Sequence, residues 1–250
     1  MNGKIKSVNM TGLSAVAIIP ARSGSKRIPN KNVKPFLGKP LLSYSIEAAR
    51  QTGLFNKIIV STDCENIAKV ASDYGADVPF ARPAELADDF CPITDVFSHA
   101  LHYLETQSQK PDFACCIYAT APLISATDIK RGFESLVRKT DFKTALAVSE
   151  FAFPIQRALH LSGDLGLTMI QQENRFVRSQ DLEKCYHDAG QFFWQRLDQK
   201  KVKPNAGYLP VIIDRRRVQD IDTEEDWHYA ECMARAFDYI QQEEKHCASF

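Results

Sequence analysis

Short apolar runs and helix-patterned segments take turns along the chain from residue 14 to residue 148, and few folds accept that rhythm. Runs at 14–19, 57–61, 113–118 and 144–148, with a shorter one at 78–80, have the length and β-branched content of buried strands. Between them lie helical patterns. Residues 41–51 place Leu42, Ile46 and Ala49 on one face, and Gly53 follows. Residues 65–74 stop at Gly75. Residues 95–106 place Val96, Ala100 and Leu104 together, with Thr94 as the expected N-cap, and Ser125 with Asp128 reads as a capping box for a helix reaching residue 139. Strands alternating with helices at this spacing predict a mostly parallel sheet covered by helices on both faces, a Rossmann-like three-layer α/β/α domain. Such sheets bind ligands at the carboxyl ends of their strands. That rule singles out the loops after Ile19, Thr62, Tyr118 and Val148.

The rhythm breaks at Phe151. Residues 151–187 are polar without a clear period, yet Phe151, Phe153, Ile155, Leu159, Leu161, Leu165, Leu167 and Phe176 give the segment apolar groups that can pack. It reads as an arm inserted between 13–150 and 188–245, the two parts of the main domain. Strands are expected again at 191–195, 208–213 and 218–221, and a closing helix over 223–244.

Lys plus Arg and Asp plus Glu balance at 31 each, which disfavours bulk binding of nucleic acid or of a membrane surface. Seven cysteines without a C-x-x-C pair give neither a zinc pattern nor a disulfide framework. No apolar run reaches the roughly 18 residues of a membrane span. A reducing, cytoplasmic setting is therefore expected.

The loop after the first run reads A-R-S-G-S-K-R-I-P-N-K-N from Ala21 to Asn32. It sets Arg22, Lys26, Arg27 and Lys31 among small residues at a position where ligands collect. Backbone N–H groups around Gly24 and the serines, with those cations, suit phosphate; a solvated basic loop is the plainer alternative. Neither G-x-x-x-x-G-K-S/T nor G-x-G-x-x-G occurs, which disfavours a Walker nucleotide loop and a dinucleotide-binding dehydrogenase. Near the end, V-Q-D-I-D-T-E-E-D-W places Asp220 and Asp222 two apart. On an extended segment both face one way. Two hard carboxylates suit Mg²⁺, while Asp222 is equally placed to cap the last helix.

The string P-A-R-S-G-S-K-R-I-P-N-K-N resembles the nucleotide loop of the cytidylyltransferases that make CMP-sugars. The resemblance spans about residues 15–230 and implies that family's nucleotidyltransferase fold with a smaller dimerisation arm. It implies that Arg22, Ser25 and Lys26 hold the phosphates of CTP, with Arg22 and Lys26 catalytic. Lys31 and Asn32 would contact phosphate and ribose, and the loop backbone, Ala21 included, would read the base. R-P-A-E-L-A from Arg82 resembles the second nucleotide segment, which implies a base contact for Arg82 and a nucleotide role for Thr94. The D-x-D motif implies Mg²⁺ on Asp220 and Asp222.

Y-A-T-A-P at 118–122 departs from the Gln-Pro-Thr-Ser-Pro of sialic acid enzymes: Tyr118 stands for the Gln, and Ile124 for an Arg. Q-D-L-E with Y-H-D-A-G-Q-F-F-W, and F-A-F-P-I-Q-R-A-L, are similar to the pseudaminic acid branch of the family. That places Tyr118, Thr120, Tyr186, His187, Asp188 and Gln191 in the sugar pocket. Arg157 and Arg178 become candidate partners of the sugar carboxylate, reaching across a homodimer. The implied reaction joins CMP from CTP to the anomeric hydroxyl of an acidic nine-carbon sugar, pseudaminic acid first, and releases pyrophosphate. N-acetylneuraminic, legionaminic and 3-deoxy-manno-octulosonic acids are the alternative acceptors. A UTP- or GTP-using relative and a non-catalytic nucleotide-binding module are the alternative functions.

Overall fold

In the computed structural model, which describes residues 12–163, 166–198 and 200–247, the first apolar run is strand β1 (Ala15–Pro20). Its side chains alternate strictly. Ala15, Ala17 and Ile19 join the core on one sheet face, while Val16 and Ile18 join the core on the other. Both sets are buried, so the sheet must be covered twice.

A small hairpin of β2 (Pro35–Phe36) and β3 (Lys39–Pro40) leads into α1 (Leu41–Thr52), which ends on Gly53 in the left-handed conformation. Then come β4 (Lys57–Ser61), α2 (Glu65–Asp73), α3 (Ile93–Thr106), β5 (Phe113–Ile117), α4 (Ala126–Arg138) and β6 (Thr144–Glu150). The hairpin β7 (Leu159–Ser162) and β8 (Gly166–Met169) stands in the 151–187 segment. Strands β9 (Tyr186–Arg196) and β10 (Tyr208–Ile212) return to the main sheet, and α5 (Glu224–Cys247) closes the chain.

The six-stranded sheet runs β10-β6-β9-β5-β1-β4. Strand β9 lies antiparallel between β5 and β6, and the remaining neighbours are parallel. Helices α1, α2 and α4 pack on the Ile19 face through Ile46, Ile67, Ile129 and Phe133, and α3 covers the Ile18 face through Phe97, Ala100 and Leu104. The expected three layers are thus present. A third cluster joins α5 to the N-terminal loop through Ile28, Phe36, Ile221 and Trp227, so the chain's end packs beneath the loop that follows β1.

Several local expectations are corrected. Residues 78–80 form no strand; single bridges at Asp77 and Ala81 flank them, and Pro79 offers no N–H for a ladder. Residues 218–221 form no strand either, because the 3₁₀ turn Arg215–Arg217 delivers the chain past the sheet edge. Helix α3 starts one residue before Thr94, after Pro92, so Thr94 lies in its first turn rather than capping it. Ser125 does cap α4, accepting from the Thr127 N–H. Asp128 turns away from that cap to Arg131 and Arg217. Strand β9 begins at Tyr186, before the expected 191, because Gly190 at φ 62° interrupts its alternation without ending it.

In the 151–187 segment, Phe151, Phe153, Ile155, Leu159, Leu161, Leu167 and Phe176 are exposed instead of packed. Leu165 lies outside the described residues.

Candidate active site

The carboxyl ends of β1 and β5, with residues 82–91, open into a cleft of about 570 Å³. Pro20, Arg22, Ser25, Lys26, Lys31, Asn32 and Thr120 line it together with Arg82 and Tyr118. The loop that supplies most of them is fastened at several points. The Ala21 N–H donates to the Ser61 carbonyl (2.9 Å). Ser23 donates its N–H (3.0 Å) and its hydroxyl (2.7 Å) to the Asp63 carboxylate. The Asn32 amide holds the Arg22 carbonyl (2.8 Å), and Ile28 is fully buried beneath the loop. Burial alone would raise the Asp63 carboxyl, but the two bonds from Ser23 outweigh it and lower the pKa. Glycine is not required at position 24: its φ is ordinary, and an added Cβ would meet only the Arg22 guanidinium, at 3.5 Å.

Two aspartates divide the four loop cations between them. Asp89 lies 2.5 Å from both the Arg22 guanidinium and the Lys26 ammonium. Asp222 lies 3.0 Å from Arg27 and 3.6 Å from Lys31. Lys31 also donates to the Ile221 carbonyl (2.6 Å). Burial lowers the Lys31 pKa, and the nearby Asp222 and Asp220 oppose that shift. Asp220 is pushed upward by burial first and then by Asp222, the expected behaviour of two carboxylates sharing a site. The helix cap that competed for Asp222 belongs to Thr223 and Asp226 instead. The Asp226 N–H donates to the Thr223 hydroxyl (3.2 Å), and the Asp226 carboxylate accepts from the Thr223 N–H (2.8 Å). Asp222 is therefore not consumed by the cap.

Arg82 is buried in the cleft wall. Its Nε donates to the Ser61 hydroxyl (3.2 Å), and a second nitrogen donates to the Ser61 carbonyl. Burial raises the Tyr118 phenol, and Asp188 and Asp220 add to the effect, so Tyr118 is a neutral donor facing acidic neighbours. Thr94 is exposed on α3 and lies outside this cleft wall.

The remaining sugar-pocket candidates sit on β9 and the arm. Tyr186 is exposed opposite Glu150. His187 packs edge-on against Phe151, ring centroids 5.0 Å apart. Asp188 accepts from the Gly190 N–H (2.8 Å). Gln191 is buried and donates to the Arg217 carbonyl (2.5 Å), while its own amide oxygen lacks a protein partner. Arg157 donates to the Val177 carbonyl (2.7 Å), and Arg178 pairs with Asp181 (2.7 Å), so both are tied within their own segment.

Sequence reasoning passed over Asp63 and Asp89. Asp63 opens one of the four loops the strand-end rule singles out, and Asp88–Asp89 follows directly on R-P-A-E-L-A. Among the described residues no three His, Cys, Asp or Glu side chains group as metal ligands.

The chain is similar to several known proteins. The cytidylyltransferase family profile matches residues 16–245. A pseudaminic acid cytidylyltransferase of Campylobacter jejuni subsp. jejuni serotype O:2 is 42% identical over 223 residues, 87% of this chain and 95% of its own. An N-acylneuraminate cytidylyltransferase of Escherichia coli O18:K1:H7 is 33% identical over 86% of this chain and 51% of its own. Among solved structures, a CMP:2-keto-3-deoxy-manno-octonic acid synthetase complexed with CTP superimposes with a TM-score of 0.63 at 18% identity, covering 92% of this chain and 99% of that one. That similarity concerns the fold.

Proposed function

This chain belongs to the cytidylyltransferase family, and from that premise we propose that it transfers CMP from CTP to the anomeric hydroxyl of pseudaminic acid, releasing pyrophosphate. The observation that carries the reading is the convergence of Arg22, Lys26 and Lys31 with Arg82 and Asp222 on one cleft at the strand ends. Tyr118 and Ile124, where sialic acid enzymes carry Gln and Arg, favour pseudaminic over N-acetylneuraminic acid, as does the higher identity to the pseudaminic acid relative.

Displacement at phosphorus asks the protein for position and charge. Arg22 and Lys26 neutralise the phosphates as pyrophosphate departs. Arg82, Asn32, Ser25 and the backbone at Ala21 seat the nucleotide; Thr94, exposed outside the cleft, is left out of that set. Asp220 and Asp222 would hold Mg²⁺, which fits their hard oxygens and the upward shift of Asp220 beside its like-charged neighbour. Mg²⁺ held there would supply positive charge for the phosphates and would make the attacking hydroxyl easier to deprotonate. Tyr118, Thr120, Tyr186, His187, Asp188 and Gln191 form the proposed acceptor side.

The arm is the proposed dimer element. Leu161 and Leu167 pair across the β7–β8 hairpin, with Leu159 and Met169 on the same face, and the three leucines are exposed. A lone two-stranded hairpin is marginal in water, and a second copy of the chain would cover that face. Arg157 and Arg178 would then reach the partner's sugar carboxylate. The free thiols of Cys64, Cys91, Cys115, Cys116, Cys185 and Cys232 accord with a cytoplasmic setting.

The test is pyrophosphate release from CTP and Mg²⁺ with pseudaminic or N-acetylneuraminic acid in parallel. Release with pseudaminic acid alone is expected. Release with N-acetylneuraminic acid alone keeps the chemistry and overturns the Tyr118 reading. CTP binding without turnover on either sugar shifts weight to another acidic sugar or to the non-catalytic module.

A further inference from the structure

Within the cleft, the carboxylate of Asp89 occupies the two cations assigned to the triphosphate. It lies 2.5 Å from Arg22 and 2.5 Å from Lys26. Its neighbour Asp88 faces inward to its own turn, accepting from the N–H groups of Phe90 (2.8 Å) and Cys91 (2.6 Å). The adjacent acids thus divide the work: Asp88 shapes the turn, and that turn presents Asp89 to the loop. The bonds from Lys26 and then Arg22 hold the Asp89 carboxyl below the usual carboxylate range. Both ion pairs are solvated, with Lys26 83% exposed, so an entering ligand can break them cheaply.

Phosphate oxygens and a carboxylate compete for the same donors. We propose that Asp89 is an internal competitor for the triphosphate: it holds Arg22 and Lys26 in place while the cleft lacks nucleotide, yields them to CTP, and takes them back as pyrophosphate leaves. This rests on the proposed nucleotide site but not on the identity of the sugar. Asp89 is then a positioning residue that sets nucleotide affinity and product release.

Calorimetric titration with CTP and with pyrophosphate, each with Mg²⁺, tests the idea on wild type, Asp89→Asn and Asp89→Glu, with Asp89→Ser repeating the neutral substitution. Freed from two exposed ion pairs, the neutral variants should bind pyrophosphate about three- to tenfold more tightly at low salt. That gap should narrow in high salt, where exposed charges are screened, and Asp89→Glu should stay near wild type. Equal or weaker binding by both neutral variants overturns the proposal, since Asp89 would then be idle or only order the loop. Wild-type protein that binds neither ligand overturns the nucleotide site itself, and that outcome is distinguishable from the other.

Discussion

Lys26 carries much of the proposed chemistry and little of the fold. Its exposed ammonium touches only Asp89 among the ion pairs described, so removing it costs about 1 kcal/mol of stability or less. In turnover it stands where charge develops on the leaving phosphates. Lys26→Ala is expected to lower kcat by about 10²–10³ while the melting temperature barely moves, read by pyrophosphate release and by thermal unfolding. Near-normal turnover would remove Lys26 from the mechanism. Asp63 is the opposite case, a residue that orders the loop without reaching the ligand. Its folded pKa lies below the ordinary value of 3.8, so its stabilising effect is present above that value and is lost as pH falls through the lowered folded pKa. The melting-temperature gap between wild type and Asp63→Ala should accordingly be widest near neutral pH and close in acid. A gap that widens in acid would contradict the hydrogen-bonding account.

Among the elements, α4 and β9 meet so closely that a helix glycine becomes a packing requirement. A Cβ on Gly132 would lie 2.9 Å from the Trp194 ring and 3.2 Å from Phe192, both in the sheet. Helix propensity favours Gly132→Ala by about 1 kcal/mol, but overpacking a filled core costs about 1–3 kcal/mol. The expected result is a lower urea midpoint with an unchanged m-value, and a rise in midpoint would mean the interface yields. The same strand marks the limit of what the sequence made legible. Buried parallel strands such as β1 and β5 are continuous apolar runs, and their ends were readable to a residue or two. Strand β9 pairs with β6 through a register shift between Leu146 and Val148 and bends at Gly190, so its first half has neither alternation nor an apolar run to mark it. Residues 218–221 read as a strand, yet Ile221 is buried against Ile28 and Trp227 rather than in the sheet. Local pattern reports burial, and it cannot name the surface that does the burying. The phosphate-loop cations were legible because their position after β1 and their charge point the same way. Asp89 and Asp63, which hold Arg22, Lys26 and Ser23, were not, because their role depends on which loops meet in space.

For the whole molecule, the arm is the part we propose a second copy of the chain would cover. Phe153, Leu161, Leu167 and Phe176 stay exposed, and Arg157 and Arg178 are tied to their own segment. Leu161 and Leu167 face each other on the hairpin, so Leu161→Asp with Leu167→Asp places two like charges on the face that a second copy would cover. Sedimentation is expected to show a dimer for wild type and a monomer for the double variant, with turnover falling alongside. Loss of turnover alone leaves open damage to the fold, so the sharper measurement uses two inactive proteins. Lys26→Ala disables the nucleotide loop, and Arg178→Ala disables the arm. If each site takes its loop from one subunit and its arm from the other, a mixed dimer places both lesions in one site and leaves the second intact. Mixing the two variants should restore part of the wild-type activity, and each variant alone should have little. No recovery, with mixed dimers demonstrated by a tagged subunit, would mean that the loop and the arm serve the same subunit.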